Sequence, residues 1–206
     1  MLRFAASRGV RVVYASSAAV YGKASGVMRE DQEPAPANVY GFSKMILDNL
    51  ARQAASEGLA VSGVRYFNVY GPREAHKGQM SSMIYQLYRQ MKDGQPPRVF
   101  RSGEQRRDFV HVDDAVAGTM LAGVEGEPGV YNIGSGSAAS FNDVITHLNT
   151  ALGRQLAAEY IDNPYEAFYQ NHTEADLSRS HSALGYEPLW QLKEGIANYV
   201  AWLEGR

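Results

Sequence analysis

The 206-residue chain contains no cysteine, which excludes disulfide frameworks and thiolate metal sites. Charged residues make up only 20% of it, and the formal net charge of -2 hides no strongly basic block, so a nucleic-acid-binding surface is not expected. No apolar run is long enough to cross a bilayer, and no segment resembles a signal peptide. These absences favour a cytoplasmic protein with a small-molecule partner, no nucleic acid and no membrane.

What the sequence does contain is an alternation of apolar strand-like runs and helical patterns, typical of an α/β architecture with a largely parallel sheet. Residues 2–8 are predicted to end a helix that Gly9 stops, and residues 10–16 to form a buried strand. Asn38 is the predicted N-cap of a helix that runs to about residue 57, and residues 60–67 form the next predicted strand.

The second half of the chain continues the same pattern. Apolar residues at three- and four-residue intervals predict an amphipathic helix that includes Met80, Met83, Ile84, Leu87, Tyr88 and Met91. Residues 107–112 read as a strand, after which Asp113 is the predicted N-cap of a helix to about residue 125. Ser140 is predicted to cap a further helix, and residues 192–205 an amphipathic one.

Tyr40 and Lys44 lie four residues apart, which places both side chains on one face of the predicted helix. A free tyrosine has a pKa of about 10, so a base that works near pH 7 needs its phenolate stabilised by about 4 kcal/mol. A lysine ammonium provides such stabilisation by charge, and a serine hydroxyl provides it by hydrogen bonding. Taken alone, the spacing equally fits a solvated helix turn.

The context of this pair favours a ligand site. Ser16 and Ser17 end the first strand, and open α/β sheets bind ligands at the carboxyl ends of their strands. The next strand ends in a polar loop over residues 65–78. We therefore expect three elements to converge on one edge of the sheet.

The segments SSAAVYG, NVYGFSK, RYFNVYGPR and RDFVHVDD occur in the order and spacing of the extended short-chain dehydrogenase/reductases, the nucleotide-sugar epimerases and dehydratases. The resemblance spans nearly the whole chain, and the loop RYFNVYGPREAHKGQMSS is most similar to that of the ADP-glyceromanno-heptose 6-epimerases. It implies a partial Rossmann-like doubly wound parallel sheet, with the N-terminal βαβ half missing and a smaller C-terminal substrate-binding lobe. Residues 1–72 and 111–136 would be the remnant of the NADP-binding domain, and 73–110 and 137–206 mainly the lobe.

By the same resemblance, Ser17, Tyr40 and Lys44 match the family's catalytic serine, tyrosine and lysine. Ser17 would orient the substrate hydroxyl, Tyr40 would be the general acid/base, and Lys44 would bind the nicotinamide ribose. Lys77 matches a second acid/base that also lies at the cofactor. Inversion at C6 of the heptose removes a hydride and returns it to the other face, so the carbonyl oxygen takes two positions and two acid/base groups are needed. The implied cofactor is NADP, with NAD as the alternative.

The remaining matched positions carry binding roles. Val69 would contact the cofactor, and the residues that would contact the ADP-sugar substrate are Ser17, Asn68, Gln79, Gln86, Arg107 and Tyr169. Arg107 would hold the diphosphate, since a guanidinium forms paired charge-assisted hydrogen bonds. Each position also has a plainer interpretation: Asn68 as a partner of the loop backbone, Arg107 as an ion-pair partner of Glu104 or Asp108, and Tyr169 as a core residue.

Other signals are weaker. GSGSAAS, residues 134–140, lacks the third glycine of a dinucleotide loop and reads as a turn near the nucleotide. His111, Asp113 and Asp114 are better explained by strand alternation and helix capping than by metal ligation, so no metal is predicted. Gln79 and Gln86 stand where the heptose enzymes usually have serine and often histidine, which leaves the sugar open.

The glycine-rich turn that seats the pyrophosphate in this family does not occur in the sequence. Met1 falls inside an expected helix, so we expect a fragment or a truncated start, with an open sheet edge that favours a homo-oligomer. Three functions stay open. They are a heptose 6-epimerase complete only in a longer chain, a UDP-hexose 4-epimerase or 4,6-dehydratase, and a non-catalytic module that binds a sugar nucleotide.

Overall fold

The structure, a computed structural model, describes residues 1–24, 26–164 and 170–205. The helices are α1 (Leu2–Arg8), α2 (Val39–Ser56), α3 (Met83–Lys92), α4 (Val112–Val124), α5 (Phe141–Leu152), α6 (Ser178–Leu184) and α7 (Leu192–Leu203). The strands are β1 (Val12–Ser17), β2 (Val27–Met28), β3 (Val61–Tyr66), β4 (Asn68–Tyr70), β5 (Arg98–Phe100), β6 (Arg106–His111), β7 (Gly129–Ile133), β8 (Ala138–Ser140), β9 (Glu159–Ile161) and β10 (Glu174–Ala175). Within these ranges no helix has both the length and the apolarity needed to cross a bilayer.

The main sheet is parallel, with the strand order β1-β3-β7. Ser17 pairs with Tyr66 and Tyr66 pairs with Ile133, so the three strands end level with one another. Both faces of β3 are buried, as expected for a central parallel strand covered by helices. The predicted α/β fold with a parallel Rossmann-like sheet is therefore confirmed, and the carboxyl ends of its strands form one common edge.

A second group of elements packs beside this sheet. β4, β6 and β8 form a small mixed sheet, in which β6 is parallel to β4 and antiparallel to β8. Helices α3, α5 and α7 pack on it around a buried cluster that includes Ile84, Leu87, Val144, Leu148 and Ile196. The main sheet has separate clusters, the one beneath α4 being built on Val64, Tyr131 and Ile133.

Local capping signals fix several element ends as predicted. Gly9 takes a left-handed conformation, φ 61°, and ends α1. The Asn38 side chain accepts a 2.8 Å hydrogen bond from the Gly41 amide at the start of α2. Ser140 and Asp143 form a reciprocal capping box at the start of α5. These three predictions are confirmed.

The predicted start of the methionine-rich helix is wrong. α3 begins at Met83, because Ser82 takes an extended conformation and its hydroxyl accepts a hydrogen bond from the Tyr85 amide. Met80 lies before this cap in a 3₁₀ segment, Ala75–Met80, and its side chain is 85% exposed. Met91, by contrast, is fully buried.

Candidate active site

The Tyr40 and Lys44 side chains share one face of α2, as their spacing predicted. The Lys44 ammonium lies 5.6 Å from the centroid of the Tyr40 ring. It also donates a 2.9 Å hydrogen bond to the carbonyl oxygen of Ala15 in β1. Tyr40 remains 55% exposed. The pair therefore lies beside the carboxyl end of β1, with the phenol open to a ligand.

Ser17 lies at the same edge, as the last residue of β1. Its hydroxyl accepts a hydrogen bond from the Ala19 amide at 3.2 Å and caps the short 3₁₀ segment Ala18–Tyr21. The first turn of α2 packs directly on this segment, since a Cβ added at Gly41 would overlap the Ala19 carbonyl oxygen. Glycine at position 41 is thus what allows the tyrosine helix to approach the serine turn.

Gly41→Ala tests this approach. Alanine raises helix propensity by about 1 kcal/mol over glycine, but the overlap here is with backbone, which cannot rotate away. We expect the variant to lose about 1–3 kcal/mol of unfolding free energy despite the better propensity. The measurement is urea denaturation, with Ser43→Ala as the control, because Ser43 lies on the exposed side of the same turn. Equal stability of the two variants would show that the contact is not tight.

Asn68 and Val69 follow directly from the central strand into β4. The Phe67 amide donates to the Ile133 carbonyl at 3.0 Å, which holds the crossing point at the end of the main sheet. Asn68 is exposed, and among the described residues its side chain has no hydrogen-bond partner, so it does not serve the loop backbone. Val69 is half-buried against the cluster beneath α4.

Lys77 and Gln79 lie on the 3₁₀ segment Ala75–Met80, and both are exposed. Gln86 reaches back from α3, and its side-chain amide donates to the carbonyl oxygens of Gln79, at 3.2 Å, and Ser81, at 2.8 Å. The structure therefore brings Gln79 and Gln86 together. It also shows that the Gln86 amide supports the backbone of the loop that carries Lys77.

Arg107 lies in β6 with only 7% of its surface exposed. Its guanidinium donates to the Arg106 carbonyl at 2.8 Å and lies 6.0 Å from the centroid of the Phe141 ring. The neighbouring Asp108 carboxylate binds four other groups, the amides of Ser135, Gly136 and Ala175 and the Ser135 hydroxyl. Burial raises the pKa of Asp108, and these four donors act in the opposite direction.

These contacts also explain the turn at residues 134–136. The amides of Ser135 and Gly136 donate to Asp108 at 2.6 and 3.0 Å, so they are not directed at a phosphate. The turn is held by a carboxylate of its own chain. Tyr169, the last predicted substrate residue, lies outside the described residues.

His111 is a helix cap. Its ring is 1% exposed, and Nδ1 accepts a 3.3 Å hydrogen bond from the Asp113 amide, so the prediction that Asp113 caps α4 is wrong. The Trp190 and Tyr70 rings pack on it, with centroids 4.7 and 5.4 Å away. Burial lowers the pKa of His111, and the nearby carboxylates oppose this shift.

Across the described ranges no three His, Asp or Glu side chains are grouped to hold a metal.

The lowered pKa predicts a loss of stability in mild acid. A free histidine titrates near pH 6.5, so the unfolded chain binds this proton before the folded chain does as the pH falls. Stability that is present above about pH 6.5 is lost as the pH falls through the folded pKa, and protonated Nδ1 can no longer accept the Asp113 amide. The free energies of unfolding measured by urea denaturation at pH 7.5 and 5.5 should differ less in His111→Gln than in the parent, by on the order of 1 kcal/mol. His76→Gln, on an exposed ring, should keep the parental difference.

A buried ionic network lies beneath α2, and the sequence did not predict it. The Arg65 guanidinium, from β3, donates two hydrogen bonds of 3.1 and 3.0 Å to Asp48 of α2, and both side chains are 1% exposed. The Tyr21 hydroxyl accepts from Arg65 at 3.0 Å and donates to Asn132 at 2.6 Å. Burial raises the pKa of Tyr21 to about 12. Asp48 lies one turn beyond Lys44, so the network holds the Lys44 side of α2 on the sheet.

Comparison with known proteins agrees with this arrangement. Residues 1–134 match the model of the NAD dependent epimerase/dehydratase family. Among solved structures, the ADP-L-glycero-D-manno-heptose-6-epimerase of Helicobacter pylori is 36% identical, with a TM-score of 0.91 over 100% of this chain and 63% of that one. MoeE5 in complex with UDP-glucuronic acid and NAD is 35% identical, with a TM-score of 0.87 over 99% of this chain and 68% of that one. The UDP-glucuronic acid 4-epimerase of Bacillus cereus is 28% identical, with a TM-score of 0.82 over 94% of this chain and 61% of that one. The chain thus spans about two thirds of the length of these proteins.

Proposed function

This chain belongs to the NAD dependent epimerase/dehydratase family, and from that premise we propose that it carries the catalytic and substrate-binding residues of a nucleotide-sugar epimerase. The proposed reaction is inversion at C6 of ADP-D-glycero-D-manno-heptose with a tightly bound NADP. The observation that carries the proposal is the position of Tyr40 and Lys44, side by side on α2 at the carboxyl edge of a parallel sheet. The similarity to the Helicobacter pylori enzyme supports the choice of sugar.

The residues present fit the nicotinamide end of a dinucleotide. Lys44 uses one ammonium hydrogen on the Ala15 carbonyl, and its remaining donors suit the hydroxyls of a ribose. The turn at residues 134–136 does not offer its amides to the pyrophosphate, because those of Ser135 and Gly136 already donate to Asp108. When bound, the nicotinamide supplies reversible hydride transfer.

The chain's own residues handle the protons. Ser17 orients the reacting hydroxyl, and Tyr40 moves the proton at the oxygen in one half-reaction. Lys77 moves it in the other, after the ketone has presented its second face. Two exposed groups on separate elements, Tyr40 on α2 and Lys77 on the 3₁₀ segment Ala75–Met80, suit two positions of one oxygen better than a single group does.

The remaining proposed contacts are with the nucleotide sugar. Arg107 binds the diphosphate, Asn68 binds the sugar, and Val69 borders the cofactor. Gln79, Gln86 and Tyr169 complete the substrate site. The separate cluster beneath α3, α5 and α7 supports assigning residues 73–110 and 137–206 mainly to a substrate-binding lobe.

A UDP-hexose 4-epimerase is the second candidate, because the chain is also similar to the UDP-glucuronic acid 4-epimerase of Bacillus cereus and to MoeE5, whose structure contains UDP-glucuronic acid. Lys77 separates the two. Under the heptose proposal its replacement by alanine lowers epimerisation by about 10²–10⁴-fold, whereas the 4-epimerase proposal gives it no catalytic task.

The direct test is a fluorescence titration of the chain with NADPH and with NADH, each with and without an ADP-sugar or a UDP-sugar. We expect saturable NADPH binding that the ADP-sugar strengthens and that Lys44→Ala weakens at least tenfold. Lys193→Ala, which removes an exposed lysine of α7, should bind like the parent. Strengthening by the UDP-sugar alone would favour the 4-epimerase. Folded chain that binds neither cofactor would contradict the proposal for this polypeptide.

A further inference from the structure

The loop that carries Lys77, residues 71–82, contains an arginine in a backbone conformation that residues other than glycine rarely adopt. Gly71, Arg73 and Gly78 all take positive φ, at 141°, 74° and 55°. Arg73 is the only residue with a side chain in the described part of the sequence to do so. Glycine adopts this conformation freely, but in arginine it costs free energy and persists where surrounding contacts impose it. Some feature of the structure must therefore hold this loop.

Glu74 provides the contacts that do so. Its side chain is only 4% exposed, although it lies in a loop whose other polar residues are mostly exposed. Oε1 accepts from the Gly71 amide at 3.5 Å, from the Ser82 hydroxyl at 2.7 Å and from the Tyr199 hydroxyl at 3.1 Å. Oε2 accepts from the Ser82 amide at 2.6 Å. One carboxylate thus ties the first residue of the loop to its last and binds both to α7.

The same residue is also linked to Lys77 through the backbone. The Glu74 carbonyl oxygen accepts the Lys77 amide at 2.9 Å and so begins the 3₁₀ turn on which the lysine stands. The carboxylate is too buried to reach a substrate. Its effect on a ligand must therefore pass through the loop.

We propose that Glu74 is a positioning residue, whose carboxylate holds the 71–82 loop in the one conformation that presents the Lys77 ammonium to the substrate. This inference rests on the proposed function, because it takes Lys77 as the second acid/base group. It adds a residue to which the resemblance assigned no role. It also explains why a charged side chain is buried at the base of an exposed loop.

Glu74→Gln is the sharpest variant, since it keeps shape and size. The carboxamide oxygen can replace only one of the two carboxylate oxygens, and its NH₂ group then faces a donor, either the Ser82 amide or the group at Oε1. Tyr199→Phe removes a single donor and should give a smaller effect. Glu187→Gln, an exposed glutamate paired with His181, is the matched control.

The first readout needs no activity. Hydrogen exchange measured by mass spectrometry should show amides of residues 71–82 exchanging at least tenfold faster in Glu74→Gln, with the α5 peptides unchanged. Glu187→Gln should match the parent throughout. Unchanged exchange in the loop would overturn the proposal.

The second readout is a double-mutant cycle on ADP-sugar turnover with Lys77→Ala. Glu74→Gln should lower kcat about 10- to 30-fold with KM within threefold, and should lower it no more than twofold further when Lys77 is already alanine. If Glu74→Gln lowers kcat by the same factor with and without the Lys77 side chain, Glu74 acts independently of Lys77, as a purely stabilising residue would, and the inference is overturned. If Glu74→Gln speeds exchange in the loop but Lys77→Ala leaves turnover unchanged, the proposed function is contradicted, while Glu74 is still shown to hold the 71–82 loop.

Discussion

Asp48→Ala is expected to lower the free energy of unfolding by about 3–5 kcal/mol, the loss typical of removing one partner from a buried ion pair. Among the described residues, the variant leaves the Arg65 guanidinium, 1% exposed, with two partners, the Tyr21 hydroxyl at 3.0 Å and the Glu30 carbonyl at 3.4 Å. It also removes the acceptor of the Tyr14 hydroxyl. A cation that cannot return to water must then be buried without its counter-charge.

Urea denaturation at pH 7 measures this loss, and the surface pair Arg29–Asp31 is the control. Those side chains are 59% and 69% exposed, so Asp31→Ala should change the stability far less than Asp48→Ala does. The double variant Asp48→Leu/Arg65→Met should recover part of the loss, because it buries no unpaired charge. An Asp48→Ala protein as stable as Asp31→Ala would mean that water reaches Arg65.

Element ends were predictable from the sequence where the stabilising group lies within a few residues. Gly9 ends α1 through its own left-handed conformation, Asn38 caps α2 three residues ahead of its partner amide, and Ser140 caps α5 in the same way. The wrong ends had a competing local cap. Ser82 stops α3 from extending back to Met80, and the His111 imidazole caps α4 in place of the predicted Asp113 carboxylate.

The long-range contacts were not predictable in this way. Arg65 meets a carboxylate 17 residues away, and Glu74 meets a hydroxyl 125 residues away. Neither partner is fixed by a helical or strand period, because the fold alone brings the segments together. An arginine in the apolar run AVSGVRYF does signal that a buried partner exists. It does not say which one.

In the candidate site, helical periodicity was enough to predict the Tyr40–Lys44 pair but not the contacts of the residues around it. The four-residue spacing placed Tyr40 and Lys44 on one face, and the strand order brought Ser17 to the same edge. The sequence did not indicate that Gln86 supports the Lys77 loop, since a side-chain amide that binds backbone looks like one that binds sugar. The family resemblance assigned Gln86 to the substrate and gave no sign that its amide also binds the backbone of this loop.

Tyr40→Phe is expected to lower ADP-heptose epimerisation by about 10²–10⁴-fold, the usual contribution of a general acid/base. The change removes one oxygen and leaves the ring beside the Lys44 ammonium, so the site keeps its shape. Stability should not change, because the ring is 55% exposed and its hydroxyl has no hydrogen-bond partner among the described residues.

The measurement is the ratio of C6 epimers formed over time, followed by NMR in a preparation that binds NADPH. Tyr160→Phe is the matched control, since that phenol is also exposed, at 42%, and its hydroxyl donates to the side chain of Asn142 at 3.1 Å. NADPH affinity should stay within threefold in Tyr40→Phe, because Lys44 and not the phenol holds the ribose. A variant that keeps half its turnover would remove Tyr40 from the chemistry. A variant that loses cofactor along with turnover would make the phenol a binding group, so the two readouts together separate proton transfer from cofactor binding.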